Sequence, residues 1–214
     1  MSKIKLVVFD MDGTIIEPRS SWAMIHEHFG TDNTEMLQLY IDHKISDKEF
    51  VKADIQLWNN KSERLVDEKY INSILDKAKA RKGAEELITS LHENNIKTII
   101  LSGGIQYLAD KWAKKWNMNE ALANDLIDDE NGNLTAIINS SGHNKGPVME
   151  KMIEKYNCEK NEIAAVGDTI VDVPTFERAG LSIAVNTDDE RVISNANYHL
   201  KGDLSELKKL IISW

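Results

Sequence analysis

The sequence is poor in cysteine and in positive charge, and it has no long apolar run. Its one cysteine, Cys158, rules out an intrachain disulfide and any metal site built from several thiolates, and it points to a reducing compartment. Against 35 aspartates and glutamates stand only 26 lysines and arginines, a formal net charge of -9. Such a surface repels nucleic acid and anionic membranes unless a basic patch reverses it locally. Pairs such as Lys114-Lys115 and Lys208-Lys209 lie in helix-like stretches and read as solvated faces, not as a patch. The apolar stretch from Ile4 to Phe9 is too short to span a bilayer, and Asp10 follows it without the small residues of a secretory cleavage site. The expectation is a cytoplasmic protein with neither a nucleic-acid nor a membrane partner. No internal repeat and no low-complexity tract is found.

What the chain does have is apolar material for a substantial core, 42% of its residues. The stretch Ile4 to Phe9 is rich in β-branched and aromatic residues and stops at Asp10, with Gly13 close behind, as a buried strand ending in a loop does. Residues 97–101 before Ser102-Gly103-Gly104, 163–166 before Gly167-Asp168, and 181–185 before Asn186 repeat that form. Between them lie helical spacings, for example Ile105, Leu108, Trp112 and Trp116, whose tryptophans read as core packing. Strands alternating with helices predict an α/β fold, a doubly wound, Rossmann-like parallel sheet that binds ligands at the carboxyl ends of its strands. Asp10, Ser102 and Asp168 all fall at such ends, so residues distant in the chain are expected to meet at one edge of the sheet.

Residues 16–81 break the alternation and read as a helical insertion after the first strand. Ser20 or Ser21 is placed to cap a helix carrying Trp22, Ile25 and Phe29, and Ser46-Asp47-Lys48-Glu49 is a capping box leading into Val51, Ile55 and Trp58. His26 and His28 stand two apart, which points them away from each other on a helix; they read as surface histidines and not as a zinc pair. The residues 129–133, between Leu126-Ile127 and the apolar run 134–138, predict a hairpin. As a calcium loop the same stretch fails, because Ile127 and Ile138 would occupy the first and twelfth positions.

Asp10-Met11-Asp12-Gly13-Thr14 sets two carboxylates two residues apart before a glycine that permits a tight turn. Alone this is as well read as an Asp-rich turn. Beside it stand Ser102-Gly103-Gly104, then Lys145-Gly146, then Gly167-Asp168 with Asp172 four residues on. Taken singly, Ser102 could cap a helix, Lys145 could be a solvated surface charge, and Asp172 could cap the next helix. In this order the four groups resemble the motifs of the haloacid dehalogenase superfamily of aspartate-nucleophile phosphatases, over nearly the whole chain outside the insertion. The stretch 101–104, the insertion itself, and Asp172-Val173-Pro174-Thr175-Phe176 leading to Ala179-Gly180 are most similar to the phosphoserine phosphatase branch. The stretch 141–146 lacks the Gly-Lys-Ser/Thr order of a nucleotide loop and gives no support to kinase or ATPase chemistry.

The resemblance implies a magnesium-dependent phosphomonoester hydrolase acting on a small phosphorylated metabolite, with phosphoserine one candidate. Residues 1–15 and 82–214 would form the catalytic core and residues 16–81 a helical cap. Asp10 would be the nucleophile, forming an aspartyl phosphate, and Asp12 the acid and base, its pKa raised by neighbouring negative charge. Ser102, backbone N–H groups near Gly103, and Lys145 would bind the phosphoryl oxygens. A phosphate dianion is repelled by so many carboxylates, so a hard cation must neutralise them. Mg2+ would be held by Asp10, the carbonyl of Asp12 and Asp168, with Asp172 behind them or acting through water. The chain departs from the pattern in two places. Val171 stands where the branch has asparagine, removing a side-chain hydrogen bond. In the cap, Glu17 precedes the expected glutamate position, which holds Arg19, and no arginine occurs from Ser20 to Glu63. Glu17, Arg19, Lys44 and Lys52 are the candidate substrate contacts there, though a lysine cannot make the planar bidentate contact of a guanidinium. The alternatives are a phosphotransferase passing the phosphoryl group to another alcohol, and a non-catalytic phosphate-ligand sensor.

Overall fold

The computed structural model describes residues 4–140 and 144–214. Strand β1 (Leu6–Phe9) is buried along its whole length. Val7 and Phe9 join one apolar cluster and Leu6 and Val8 the other, so both faces of the sheet are covered, as an unbroken apolar run requires. The chain then forms α1 (Ser21–Phe29), α2 (Thr34–Ile41), α3 (Asp47–Lys61) and α4 (Glu68–Leu75), before α5 (Ala84–Glu93) leads into β2 (Lys97–Ile105). There follow α6 (Gln106–Lys115), β3 (Glu120–Asp128), β4 (Leu134–Ile137), α7 (Lys145–Tyr156), β5 (Ile163–Gly167) and α8 (Val173–Phe176). The last elements are β6 (Leu181–Val185), α9 (Glu190–Ile193), β7 (Tyr198–Leu200) and α10 (Leu207–Ser213).

Among the described residues one seven-stranded sheet runs in the order β4-β3-β2-β1-β5-β6-β7, parallel throughout except for the β3–β4 hairpin. From β1 the chain steps outward through β2 and β3, then returns to β5 on the other side of β1. Strand order therefore reverses between β1 and β5, where an open α/β sheet leaves a crevice for ligands. This is the expected doubly wound core with a helical cap. β3 begins at Glu120, well before the apolar pair Leu126-Ile127, because parallel pairing with β2 holds it more than its own apolarity does. No helix among the described residues is long and apolar enough to cross a membrane.

The two ends of the helical segment are tied side by side: Glu17 N–H donates to the Lys79 carbonyl at 2.9 Å and Arg81 N–H to the Ile15 carbonyl at 2.9 Å. Within it, the Ser20 side chain caps α1 by accepting from Ala23 N–H. Ser46 and Glu49 form the expected reciprocal box at the start of α3, which buries Val51, Ile55 and Trp58. His26 corrects the surface reading. It is buried, accepting from Trp58 Nε1 at 3.3 Å, because α1 packs that face onto α3, whereas His28 is exposed beside Tyr70. α2 has no buried residue although it carries Met36, Leu37, Leu39, Tyr40 and Ile41.

Candidate active site

At the end of β1 the Asp10 N–H donates to the Val166 carbonyl of β5 at 2.9 Å, which sets its side chain at the crevice. The chain then makes a wide turn over Met11–Ile15 in which Gly13 takes φ 73°. A Cβ at Gly13 would stand 2.2 Å from Asp168 Oδ2, so only glycine lets the loops after β1 and β5 approach this closely. Thr14 Oγ1 donates to Asp168 Oδ1 at 3.0 Å, a contact the sequence had not marked.

Lys145, the first residue of α7, is 1% exposed, which excludes the solvated-surface alternative. Its Nζ donates to Asp10 Oδ1 and to Asp172 Oδ1, each at 2.6 Å. Asp172 is fully committed: its Oδ2 accepts from Asp168 N–H (3.1 Å), Thr169 N–H (3.0 Å) and Thr169 Oγ1 (3.1 Å). It therefore positions Lys145 and the Asp168 loop and makes no side-chain cap to α8. Carboxylate oxygens of Asp10, Asp168 and Asp172 lie within 4.8 Å of one another.

Burial pushes the Asp10 carboxyl well above its ordinary value; Lys145 opposes this, and the Asp172 and Asp168 charges add to it. Asp168 is pushed up to about 7, by burial first and by Asp172 second, against its Thr14 hydrogen bond. For Lys145 burial works downward, but attraction to Asp10 and Asp172 outweighs it and the ammonium is held. Three clustered carboxylates thus share one ammonium, an excess of negative charge on an all-oxygen donor set. Such a set fits a hard divalent cation, which would replace the missing positive charge.

Asp12 lies to one side of this cluster. Its Oδ2 accepts from Ser21 N–H at 2.8 Å and from Ser21 Oγ at 2.7 Å, while its Oδ1 is buried without a hydrogen-bond partner among the described residues. Its pKa is raised, but the cause is burial; the Ser21 hydrogen bonds and Lys145 act the other way. The expected contribution of a neighbouring carboxylate is replaced by desolvation, since Asp10 faces Lys145 instead. A Cβ at Gly104 would stand 2.6 Å from Asp12 Oδ2, so that glycine also admits a close approach.

Ser102 is 1% exposed, and its Oγ accepts from Gly104 N–H at 3.1 Å within an irregular stretch of β2, so it caps no helix; β2 itself continues to Ile105. The Gly103 carbonyl accepts from Trp22 Nε1 (3.0 Å) and Asn124 Nδ2 (2.9 Å). Asn124 in turn accepts from the N–H groups of Asn139 and Ser140. Trp22, Ser21, Thr14 and Asn124 are the contributors that sequence reasoning missed. Each acts by contact across 9 to 154 positions and carries no local signal. Residues 141–143 of the stretch compared with a nucleotide loop lie outside the described residues.

Of the four cap candidates only Arg19 borders the carboxylate cluster, in a cleft it shares with Asp168. Glu17 is exposed, and Lys44 is exposed and paired with Asp42. Lys52 lines a cleft with Asp129 and Asn133 that is also bounded by Val51 and Ile138, and Arg19 lines another with Asp168 and Asp188. Above the Gly103 loop is instead a cavity of about 530 Å³, walled by α1, α2, α3 and Gly103, Asn124 and Ile138.

The reversal point of the doubly wound sheet thus holds clustered carboxylates, a buried lysine between two of them, and a separate carboxyl, Asp12, held by Ser21. The haloacid dehalogenase-like hydrolase family model matches residues 4–180. The chain belongs to that family, and the relatives it is similar to include phosphoserine phosphatases. It is 29% identical over 186 residues to a phosphoserine phosphatase of Archaeoglobus fulgidus, covering 85% of this chain but only 52%, about half, of that relative. It is 27% identical to a phosphoserine phosphatase of Campylobacter jejuni subsp. doylei, over 97% of this chain and 98% of the relative. A solved structure of a phospho-aspartyl intermediate analogue of phosphoserine phosphatase shares the fold with a TM-score of 0.79 at 24% identity, covering 98% of this chain and 100% of that one.

Proposed function

We propose that the protein is a magnesium-dependent phosphomonoester hydrolase that works through an aspartyl phosphate on Asp10. The observation that carries this reading is Lys145, buried between Asp10 and Asp172 at 2.6 Å from each. An ammonium kept out of water and held against a carboxylate at a strand end is placed to receive the phosphoryl oxygens as charge develops on them. Asp10 and Asp168, with the Asp12 carbonyl, would hold the cation, and Asp172 would orient Lys145 and the Asp168 loop. The cation would lower the repulsion between the phosphate dianion and the carboxylates.

In the first half-reaction an Asp10 oxygen bonds to phosphorus as the bond to the alcohol oxygen breaks, and Asp12 gives its proton to that oxygen. Because both Ser21 donors point at Oδ2, the proton of the neutral Asp12 carboxyl sits on the unpartnered Oδ1. In the second, Asp12 takes a proton from water as the water oxygen bonds to phosphorus and the bond to Asp10 breaks, releasing inorganic phosphate. Residues 1–15 and 82–214 act as the catalytic core and 16–81 as the cap, a division supported by the paired crossings at Ile15–Arg81 and Glu17–Lys79. The working compartment is the cytoplasm, a reading that rests on the single cysteine.

The test is phosphate release from simple alkyl phosphates with magnesium, for the wild type and Asp10→Asn, with mass analysis of the Asp10 peptide after acid quench. We expect a loss of at least about a thousandfold in the variant and a phosphoryl adduct only in the wild type. Wild-type turnover by Asp10→Asn would refute the mechanism.

A further inference from the structure

The cavity above the Gly103 loop is not lined by Asp10, Asp12, Ser102, Lys145 or Asp168, but it lies one residue away from the groups that hold the proposed acid. Ser20 and Trp22, which line it, flank the Ser21 that holds Asp12, and Gly103 precedes the Gly104 packed against the same carboxylate. An acid that protonates the departing oxygen has the body of the leaving group next to it, and this cavity is the neighbouring space large enough to take such a body.

The walls of the cavity state what it accepts. Trp22, Tyr40 and Phe50 supply aromatic surface, with Tyr40 and Phe50 stacked at 4.9 Å, and Leu37, Val51 and Ile138 supply aliphatic surface. Its ionisable lining consists of the carboxylates of Glu27 and Asp47 and the imidazole of His26, which is turned inward to Trp58; among the described lining residues there is no lysine or arginine. A carboxylate on the substrate would lose water here without gaining a cation, and would face like charge. At about 530 Å³ the space is in the range of sites that enclose drug-sized molecules, roughly 300–1,000 Å³, and exceeds what a serine body fills.

Resting on the hydrolase reading, we propose that the substrate is a phosphomonoester of a bulky, largely apolar alcohol without a carboxylate, its body seated among Trp22, Tyr40 and Phe50. Amino-acid phosphates are then poor substrates, despite the names of the relatives. Area removed from water supplies the preference, because the apolar wall is present in the free protein and a fitting body displaces water from it.

Three primary alkyl phosphates with the same kind of leaving oxygen test this: ethyl phosphate, 3-phenylpropyl phosphate and phosphoserine. The expected kcat/KM for the phenylpropyl ester is at least about tenfold above ethyl phosphate, as the extra apolar body in a hydrophobic pocket implies, and above phosphoserine. Phe50→Ala should reduce that ratio by about fivefold or more, and Leu37→Arg, placed on an exposed part of the wall, should raise phosphoserine relative to the phenylpropyl ester. In parallel, quenching of tryptophan fluorescence by 3-phenylpropylphosphonate, ethylphosphonate and phosphoserine measures binding without turnover. Preference for the phenylpropyl compound in binding with no hydrolysis of any ester would keep the substrate inference and refute the hydrolase reading. Hydrolysis of ethyl phosphate with equal or better use of phosphoserine, or a phenylpropyl ratio unmoved by Phe50→Ala, would overturn the substrate inference and leave the hydrolase reading standing.

Discussion

Replacing Lys145 by methionine keeps the length of the side chain and removes its charge. In the wild type its ammonium is 1% exposed and makes 2.6 Å contacts with Asp10 and Asp172, which are themselves buried. The variant leaves two buried carboxylates without their cation and with Asp168 beside them. Breaking a buried ion pair by removing one partner costs about 3–5 kcal/mol. For a chain of this size that lowers Tm by about 6–20 °C. Relief of the ammonium's own desolvation pulls the effect toward the lower end. The sign with pH follows from Asp10, whose carboxyl is already raised above its unfolded value by burial, and Lys145 is the group opposing that rise. Without Lys145 the folded state binds a proton that the unfolded state has released, so stability falls as pH rises above about 4. The deficit of Lys145→Met should therefore be larger at pH 8 than at pH 5. Thermal unfolding in chelator at the two pH values is the assay, and adding Asp10→Asn to Lys145→Met should recover part of the loss by removing one stranded charge. A Tm within about 2 °C of wild type at both pH values would refute the reasoning that Lys145 balances this cluster.

Asp12→Asn should slow the first step far more for alkyl than for activated aryl phosphates, by about 10²–10⁴ against a much smaller loss; equal losses in single-turnover measurements would remove Asp12 as the acid. In chelator, wild-type stability should decline from pH 5 to pH 8, because Asp168, raised to about 7, gives up its proton in that window while its unfolded counterpart is already ionised. Magnesium should then raise Tm more at pH 8 than at pH 5, and a larger rise at pH 5 would contradict the proposed ligand set. Gly104→Ala should cut turnover of alkyl phosphates by about tenfold or more, since its Cβ would stand 2.6 Å from Asp12 Oδ2 and 2.7 Å from Ser21 Oγ; kinetics indistinguishable from wild type would show that Asp12 has room to shift.

The sequence alone determined the sheet and the order of its reactive loops. Short apolar runs such as Leu6–Phe9 must be buried on both faces, and a strand so buried in an alternating chain has its ligand groups at its carboxyl end, so Asp10 and Asp168 were legible as neighbours. The capping box at Ser46 was legible because it is local, closed within three residues. β7, three residues long and held by its pairing to β6, carried too little pattern to read. Tertiary structure decided whatever depended on contact between distant residues. The burial of Lys145 and the grip of Ser21 on Asp12 arise where helices pack onto the ends of the strands, and the inward turn of His26 arises where α1 packs onto α3. The cap shows this most plainly. Glu17, Arg19, Lys44 and Lys52 were named by type and position, but helix packing leaves only Arg19 beside the carboxylate cluster, at Asp168, and lines the cavity with Trp22, Tyr40 and Phe50. Charge and spacing mark which residues are able to meet a phosphate ester, whereas the orientation of each helix about its own axis, set by which face finds a core, decides which of them do.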